Sequence, residues 1–183
     1  MSCGESNSSP KELSPQEGIE AVIKEYCNAT TKRKPKEIAD LIYPGIYKIQ
    51  ERVEIEKFYY SQLNNTKTFR LENVTFSEAC TLIDKSKNHK VYLQKYKMKT
   101  TIGLDSISAV SGFQMIKNIA KKSDDKASIN EDLYEVSYQD KKRIMIVEDG
   151  KNNYFIFPEI FLTAESASEF NLESVKKELG LTP

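Results

Sequence analysis

Over the first third of the chain the apolar residues recur three and four apart, and from Phe69 onward they alternate. That change of period marks helices giving way to strands. The first helix has a clear start: Ser14 can cap it, Pro15 suits the first helical position, and Glu17 stands three after Ser14, a capping box. Ile19, Val22, Ile23, Tyr26 and Cys27 then define one apolar face. Lys32, Arg33 and Lys34 sit where cations favour a helix C-terminus. Pro35 restarts the chain, and Ile38, Leu41 and Ile42 form a second stripe. Pro44 disfavours helical geometry at Tyr43, so this helix should end there. Gly45 permits a sharp redirection. After an apolar link of Ile46, Tyr47 and Ile49, a third helix is carried by Val53, Ile55, Phe58, Tyr59 and Leu63, with Asn64-Asn65 as its stop.

The strands begin with Phe69 and Leu71, followed by Val74 and Phe76 on the opposite parity. The switch at Glu72-Asn73 predicts a bulge that bends the strand. Cys80 to Ile83 reads as another strand, and Asp84 to His89 as a polar turn. Val91 to Ile102 is the longest strand. Tyr92, Tyr96, Met98, Thr100 and Ile102 share one face, and Lys95, Lys97 and Lys99 fall on the other, the pattern of a sheet with one solvated side. Phe113, Met115, Ile116 and Ile119 predict a helical insert over Ile107 to Lys122, followed by a polar loop from Ser123 to Asp132. Three strand-like runs follow: Leu133 to Gln139, Lys142 to Glu148 and Asn153 to Ile160. Asn171 to Leu179 reads as a terminal helix closed by Gly180.

With 183 residues the expectation is a flexible tether over residues 1–13 and a single domain over 14–183. Lys plus Arg and Asp plus Glu both number 27, which argues against a protein built to coat nucleic acid. No apolar run approaches the length of a spanning helix. The opening residues lack a complete signal peptide but resemble the start of a mature bacterial lipoprotein, with Cys3 after a small residue and a polar tether from Gly4 to Lys11. On that reading Cys3 bears a lipid and the protein sits at the bacterial cell envelope, with the lipid as its only membrane contact. The alternative is a cytoplasmic N-terminus with an incidental cysteine. Cys27 lies on an apolar stripe and reads as a buried thiol; a Cys27–Cys80 disulfide is the alternative in an oxidising envelope.

The Leu41-Ile42-Tyr43-Pro44 helix end, the Phe58-Tyr59 helix, Leu71-Glu72-Asn73-Val74, Tyr96-Lys97-Met98, and Ile144-Met145-Ile146 before Tyr154-Phe155-Ile156-Phe157 carry a likeness from about Pro15 to Ile160. In that order of elements the chain resembles the nuclear transport factor 2-like superfamily, the cystatin-like cone, and more narrowly small flavobacterial envelope lipoproteins. The resemblance implies an α+β fold, with N-terminal helices packed in a strongly curved antiparallel sheet and a helical insert between strands. It also implies a pocket at the open end. Some members are isomerases or dehydratases that use an Asp, His or Tyr there, and others bind ligands or proteins without catalysis.

Tyr43, Tyr47, Phe58, Tyr92, Tyr96, Met98 and Phe113 are the candidate pocket residues, since apolar walls with a few phenolic hydroxyls suit a small-molecule site. Core packing with tyrosine tips reaching water or backbone is the competing account. Lys85, Lys87, Lys90, Lys95, Lys97 and Lys99 make a basic hairpin that reads best as a solvated face. Asp124, Asp125, Glu131 and Asp132 lack EF-hand spacing and read as a loop. Lone His89 cannot complete a zinc set with scattered thiols, and no phosphate-binding or dinucleotide-binding glycine pattern occurs. The sequence therefore calls for no metal or cofactor and assigns no catalytic residue. The expected function is non-enzymatic binding of a small apolar ligand or a protein, by a monomer or homodimer, without nucleic acid. The alternative is an isomerase or dehydratase using a pocket tyrosine such as Tyr96 and a carboxylate the sequence does not identify.

Overall fold

The structure, a computed structural model, describes residues 13–123, 126–163, 168 and 170–181. Cys3 and its tether up to Glu12 lie outside the described residues, as do Asp124 and Asp125. Helix α1, Pro15–Thr31, starts on the expected capping box, with Glu17 N–H donating to Ser14 Oγ and Ser14 N–H to Glu17 Oε2. Its stripe of Ile19, Val22, Ile23 and Cys27 is buried. Helix α2, Pro35–Asp40, is brief, and a single 3-10 turn over Pro44–Lys48 leads to α3, Arg52–Asn64. Gly45 does not need a left-handed backbone here, because Gly180 is the one glycine with positive φ among the described residues. What it supplies is room: a Cβ on Gly45 would stand 2.2 Å from the Tyr43 ring.

The strands are β1 (Thr68–Thr75), β2 (Thr81–Lys85), β3 (His89–Gly103), β4 (Ser128–Asn130), β5 (Glu135–Asp149) and β6 (Tyr154–Phe157). Helix α4, Ser106–Ser123, is the helical insert, and α5, Leu172–Glu178, closes the chain. All strand pairs are antiparallel. The two long strands β3 and β5 pair along their whole length, from His89↔Asp149 to Gly103↔Glu135. On the far edge of β3, β1 covers one half and β2 the other. On the far edge of β5, β4 pairs only with its start, from Glu135 to Ser137, and β6 only with its end, from Met145 to Glu148. The predicted bulge is present: the β1–β3 register shifts between Glu72 and Thr75, and Asn73 takes φ 55°. Sheet and helices form an α+β cone, in which a strongly curled half-barrel buries Tyr92, Tyr96 and Met98 against Ile19, Val22, Ile23 and Cys27 of α1.

Two expectations are corrected. The runs Leu133 to Gln139 and Lys142 to Glu148 belong to one strand, β5. The break expected at Asp140-Lys141 does not occur, because β3 supplies a partner for every residue across it, with Met98↔Asp140 and Lys97↔Lys141. The loop from Ser123 to Asp132 contains a short strand, β4, which extends the sheet through Ser128↔Ser137. A second apolar cluster lies at that end of the cone. Phe113, Ala109 and Ala120 of α4 pack there on Val136 and Tyr138.

Candidate functional site

A cavity of about 640 Å³ lies between α1, the inner face of the sheet and the segment after β6. Its walls follow from strand parity. Tyr96, Met98, Thr100 and Ile102 of β3 point the same way, and their register partners Lys142, Asp140, Tyr138 and Val136 share that face of β5. All but Val136 line the cavity, joined by Phe69 and Leu71 of β1, Tyr26 and Thr30 of α1, and Phe157. The exposed lining residues are Lys141, Lys142 and Arg143. They sit where the far edge of β5 is bare, between the end of β4 pairing at Ser137 and the start of β6 pairing at Met145.

The polar atoms on the inner wall are few. Thr100 is 3% exposed, and its hydroxyl has no hydrogen-bond partner among the described residues. Asp140 is 6% exposed, and its Oδ2 accepts an ion pair from Lys142 Nζ at 2.9 Å. Arg143 Nε pairs with Glu159 Oε1 at 3.3 Å beside them. Burial pushes the Tyr138 phenol up to about 12, with nearby Asp140 adding to the shift. Burial also raises Tyr96, helped by Cys27, Tyr26 and Asp140. Both phenols are therefore protonated near neutrality and act as hydrogen-bond donors, while the carboxylate accepts. Tyr26 and Tyr59 face one another with hydroxyls 3.5 Å apart, and Thr30 Oγ1 donates to the Tyr26 carbonyl at 2.7 Å. The sheet wall thus offers apolar area, the Asp140 carboxylate as acceptor and the hydroxyls of Tyr96, Thr100 and Tyr138. Those of Tyr26 and Thr30 on α1 are already engaged. Such a composition suits a small-molecule pocket.

Of the seven residues expected at a pocket, Tyr96 and Met98 line this cavity. Tyr43 is buried within an aromatic group with Phe155, Phe157, Phe170 and His89. Tyr47 is half-buried and donates its hydroxyl to the Ala39 carbonyl. Tyr92 donates to the buried Glu148 carboxylate at 2.9 Å, which also takes Lys90 Nζ at 2.6 Å. Phe58 is 39% exposed against Phe161, and Phe113 packs edge-on to Tyr134 under α4. Asp140 and Tyr138 were missed in the sequence. Their signal was the continued alternation Val136, Tyr138, Asp140, Lys142, hidden by reading a break at Asp140.

Elsewhere, Cys27 and Cys80 are free thiols, and burial pushes Cys27 up to about 12. Glu131 pairs with Lys117 at 2.5 Å, which holds its carboxyl below the usual range. No group of three His, Cys, Asp or Glu side chains suited to a metal occurs among the described residues. No helix among them is long and apolar enough to cross a membrane.

Fold and site together define an α+β cone domain with an open, mostly apolar cavity and a short polar wall. No family profile and no curated protein matches the chain. Among solved structures it is similar to a protein from Xanthomonas campestris assigned as a calcium/calmodulin-dependent protein kinase II association domain. The TM-score is 0.42 at 12% identity, over 86% of this chain and 92% of the other. It is also similar to a protein from Streptomyces avermitilis assigned as a dehydratase of the nuclear transport factor 2-like family. There the TM-score is 0.39 at 10% identity, over 79% of this chain and 94% of the other. These likenesses are too loose to carry function, and the cone fold stands on the chain's own strand order.

Proposed function

We propose that this chain is a cone domain of the nuclear transport factor 2-like kind that binds a small organic molecule in its cavity. The ligand's apolar part rests on Phe69, Leu71, Met98 and Phe157, and a polar group meets Thr100 and Asp140. The Thr100 hydroxyl carries this reading. A buried hydroxyl with no partner costs free energy, and native interiors keep few of them. The hydroxyl is closed off from the cavity as the side chain stands. A ligand oxygen or nitrogen would satisfy it once Thr100 turns toward the cavity, with the apolar area covered by the rest of the ligand. Native mass spectrometry of protein from its own host should show a retained small molecule, and Thr100→Val should weaken its retention. Protein that carries nothing, and whose Tm is unmoved by a panel of small alcohols, ketones and acids, would sink the reading.

A second reading, proton transfer of the isomerase or dehydratase kind, is favoured by one observation. Asp140 is almost fully buried and shares its wall with Tyr96 and Tyr138. Asp140 would take a proton from carbon beside a carbonyl that a tyrosine hydroxyl polarises, and would return that proton to the product. Asp140→Asn separates the two readings: loss of turnover with binding retained identifies catalysis.

We also propose that Cys3 carries a lipid that tethers the domain to a bacterial envelope, with Gly4 to Lys11 as spacer. Support comes from the sequence alone, in Ser2 before Cys3 and the polar run after it. Intact mass of native protein decides this, and an unmodified Cys3 in a full-length product removes it.

A further inference from the structure

Strand β5 is paired along one edge from end to end, and along the other only at its ends. Between Ser137, where β4 pairing stops, and Met145, where β6 pairing begins, no strand lies on that far edge among the described residues. Both β4 and β6 run antiparallel to β5. They leave a slot in line between them from Tyr138 to Ile144, roughly 23 Å of strand at 3.3 Å per residue. Pro158 follows β6 directly and has no N–H to carry the pairing further. An open edge offers its unpaired N–H and C=O groups to an extended chain.

The charge beside the slot selects which chain fits. Lys141, Lys142 and Arg143 are all exposed. Asp140 holds Lys142 at 2.9 Å, and Glu159 holds Arg143 at 3.3 Å. Lys141 has no ion pair among the described residues, and neither has Lys97, which stands directly opposite it on the outer face of β3. Like charges so placed repel. The chain as a whole is neutral, so this excess is local. Cations on a bare edge turn away neutral and basic strands, which accounts for Lys141. Such protection gives no reason for Lys97, on the paired strand behind it. A second copy of the edge fits poorly. Twofold pairing of β5 with itself about the slot would set Asp140 on Asp140, Lys141 on Lys141 or Lys142 on Lys142, according to register.

We propose that the slot receives an extended peptide segment of a partner protein, with carboxylates on alternate residues and apolar side chains between them. The segment joins the sheet as a strand beside β5. Its carboxylates lie on the outer face, one of them opposite Lys141 with Lys97 behind, where charge-assisted contacts replace repulsion. Its apolar side chains lie on the inner face, over the mouth of the cavity beside Ile144 and Pro158. An added strand lies in the plane of the sheet, so its side chains reach both faces without crossing the β3–β5 ladder. The same cations reject basic strands, so the edge is specific for acidic ones. Strand addition needs only the open edge and the outer cations, and it stands whether or not a small molecule fills the cavity.

Hydrogen exchange and calorimetry with a capped heptapeptide of alternating valine and glutamate test this. The peptide should protect the amides between Tyr138 and Ile144 that face the open edge, which no strand covers in the free protein. The same peptide with lysine in place of glutamate should protect none of them. The glutamate peptide N-methylated throughout keeps its charge, loses its backbone donors, and should bind at least about tenfold more weakly. Lys141→Gln should weaken the glutamate peptide about fivefold, the contribution of one cross-strand charge pair. Lys141→Glu should admit the lysine peptide. Lys141 is exposed, so neither variant should lower Tm. Lys85→Gln removes the same charge from the far hairpin and should change nothing. Equal protection by the lysine peptide would overturn the selection for acid. Affinity unchanged by N-methylation would mean adhesion to a basic surface with no new strand, and would sink the proposal. So would a glutamate peptide that adds no protection between Tyr138 and Ile144.

Discussion

Thr100 buries a hydroxyl on the cavity wall without a partner among the described residues, at a cost of order 1–3 kcal/mol for such groups. Valine has the same shape without the hydroxyl. Thr100→Val should therefore stabilise ligand-free protein by about 1 kcal/mol in urea unfolding, while weakening the ligand that needs the hydroxyl. A neutral or destabilising result would mean that solvent already satisfies the group. The parity of Thr100 was legible in the sequence, since it alternates with Met98 and Ile102. Its lack of a partner was not, because that depends on what β1, β5 and α1 bring opposite it. Gly45 teaches the same lesson. Its neighbour Pro44 foretold a turn, yet glycine is needed there for the Tyr43 ring packed against it.

Among the elements, β5 was hardest to read. Asp140, Lys141, Lys142 and Arg143 carry no apolar side chain, so the alternation seemed to stop. A strand needs hydrogen-bond partners as well as a pattern, and β3 supplies them across the whole stretch. The bare far edge makes a specific forecast for hydrogen exchange. Between Tyr138 and Ile144, amides directed toward β3 should be protected, and the intervening ones, directed toward the open edge, should exchange quickly. Uniformly fast exchange through these residues would indicate a loop. Helix α1, by contrast, was legible almost to the residue, because its capping box and stripe are local features.

For the whole molecule, the buried phenols set the response to alkali. Burial raises the phenols of Tyr26, Tyr59, Tyr92 and Tyr96, and brings Tyr138 and Tyr154 to about 12 from an ordinary 10.0. In Tyr92 and Tyr154 the Glu148 carboxylate pushes the same way, and in Tyr138 Asp140 does. A phenol whose folded value is raised keeps its proton in the native state after the unfolded chain has released it. The folded state then binds more protons than the unfolded one, so stability falls as pH rises. It should be fully present below pH 10.0 and decline through about 12. Tyrosinate absorbance, unobscured because the chain has no tryptophan, should rise late and together with unfolding. A gradual rise near the ordinary phenol value in protein that stays folded would contradict the burial.

The cone itself was written in the chain. Periods of helix and strand, the proline stops, the bulge at Asn73 and the lysine-bearing face of β3 are local or one-dimensional signals, carried by backbone preference and the twofold alternation of a strand. Tertiary structure decided where the cavity opens and which side chains meet in it. Asp140 is opposite Met98, and Lys141 opposite Lys97, only because two strands separated by α4 and β4 align in one register. Register between distant segments is fixed by packing of the whole sheet, and no stretch of sequence holds that information alone.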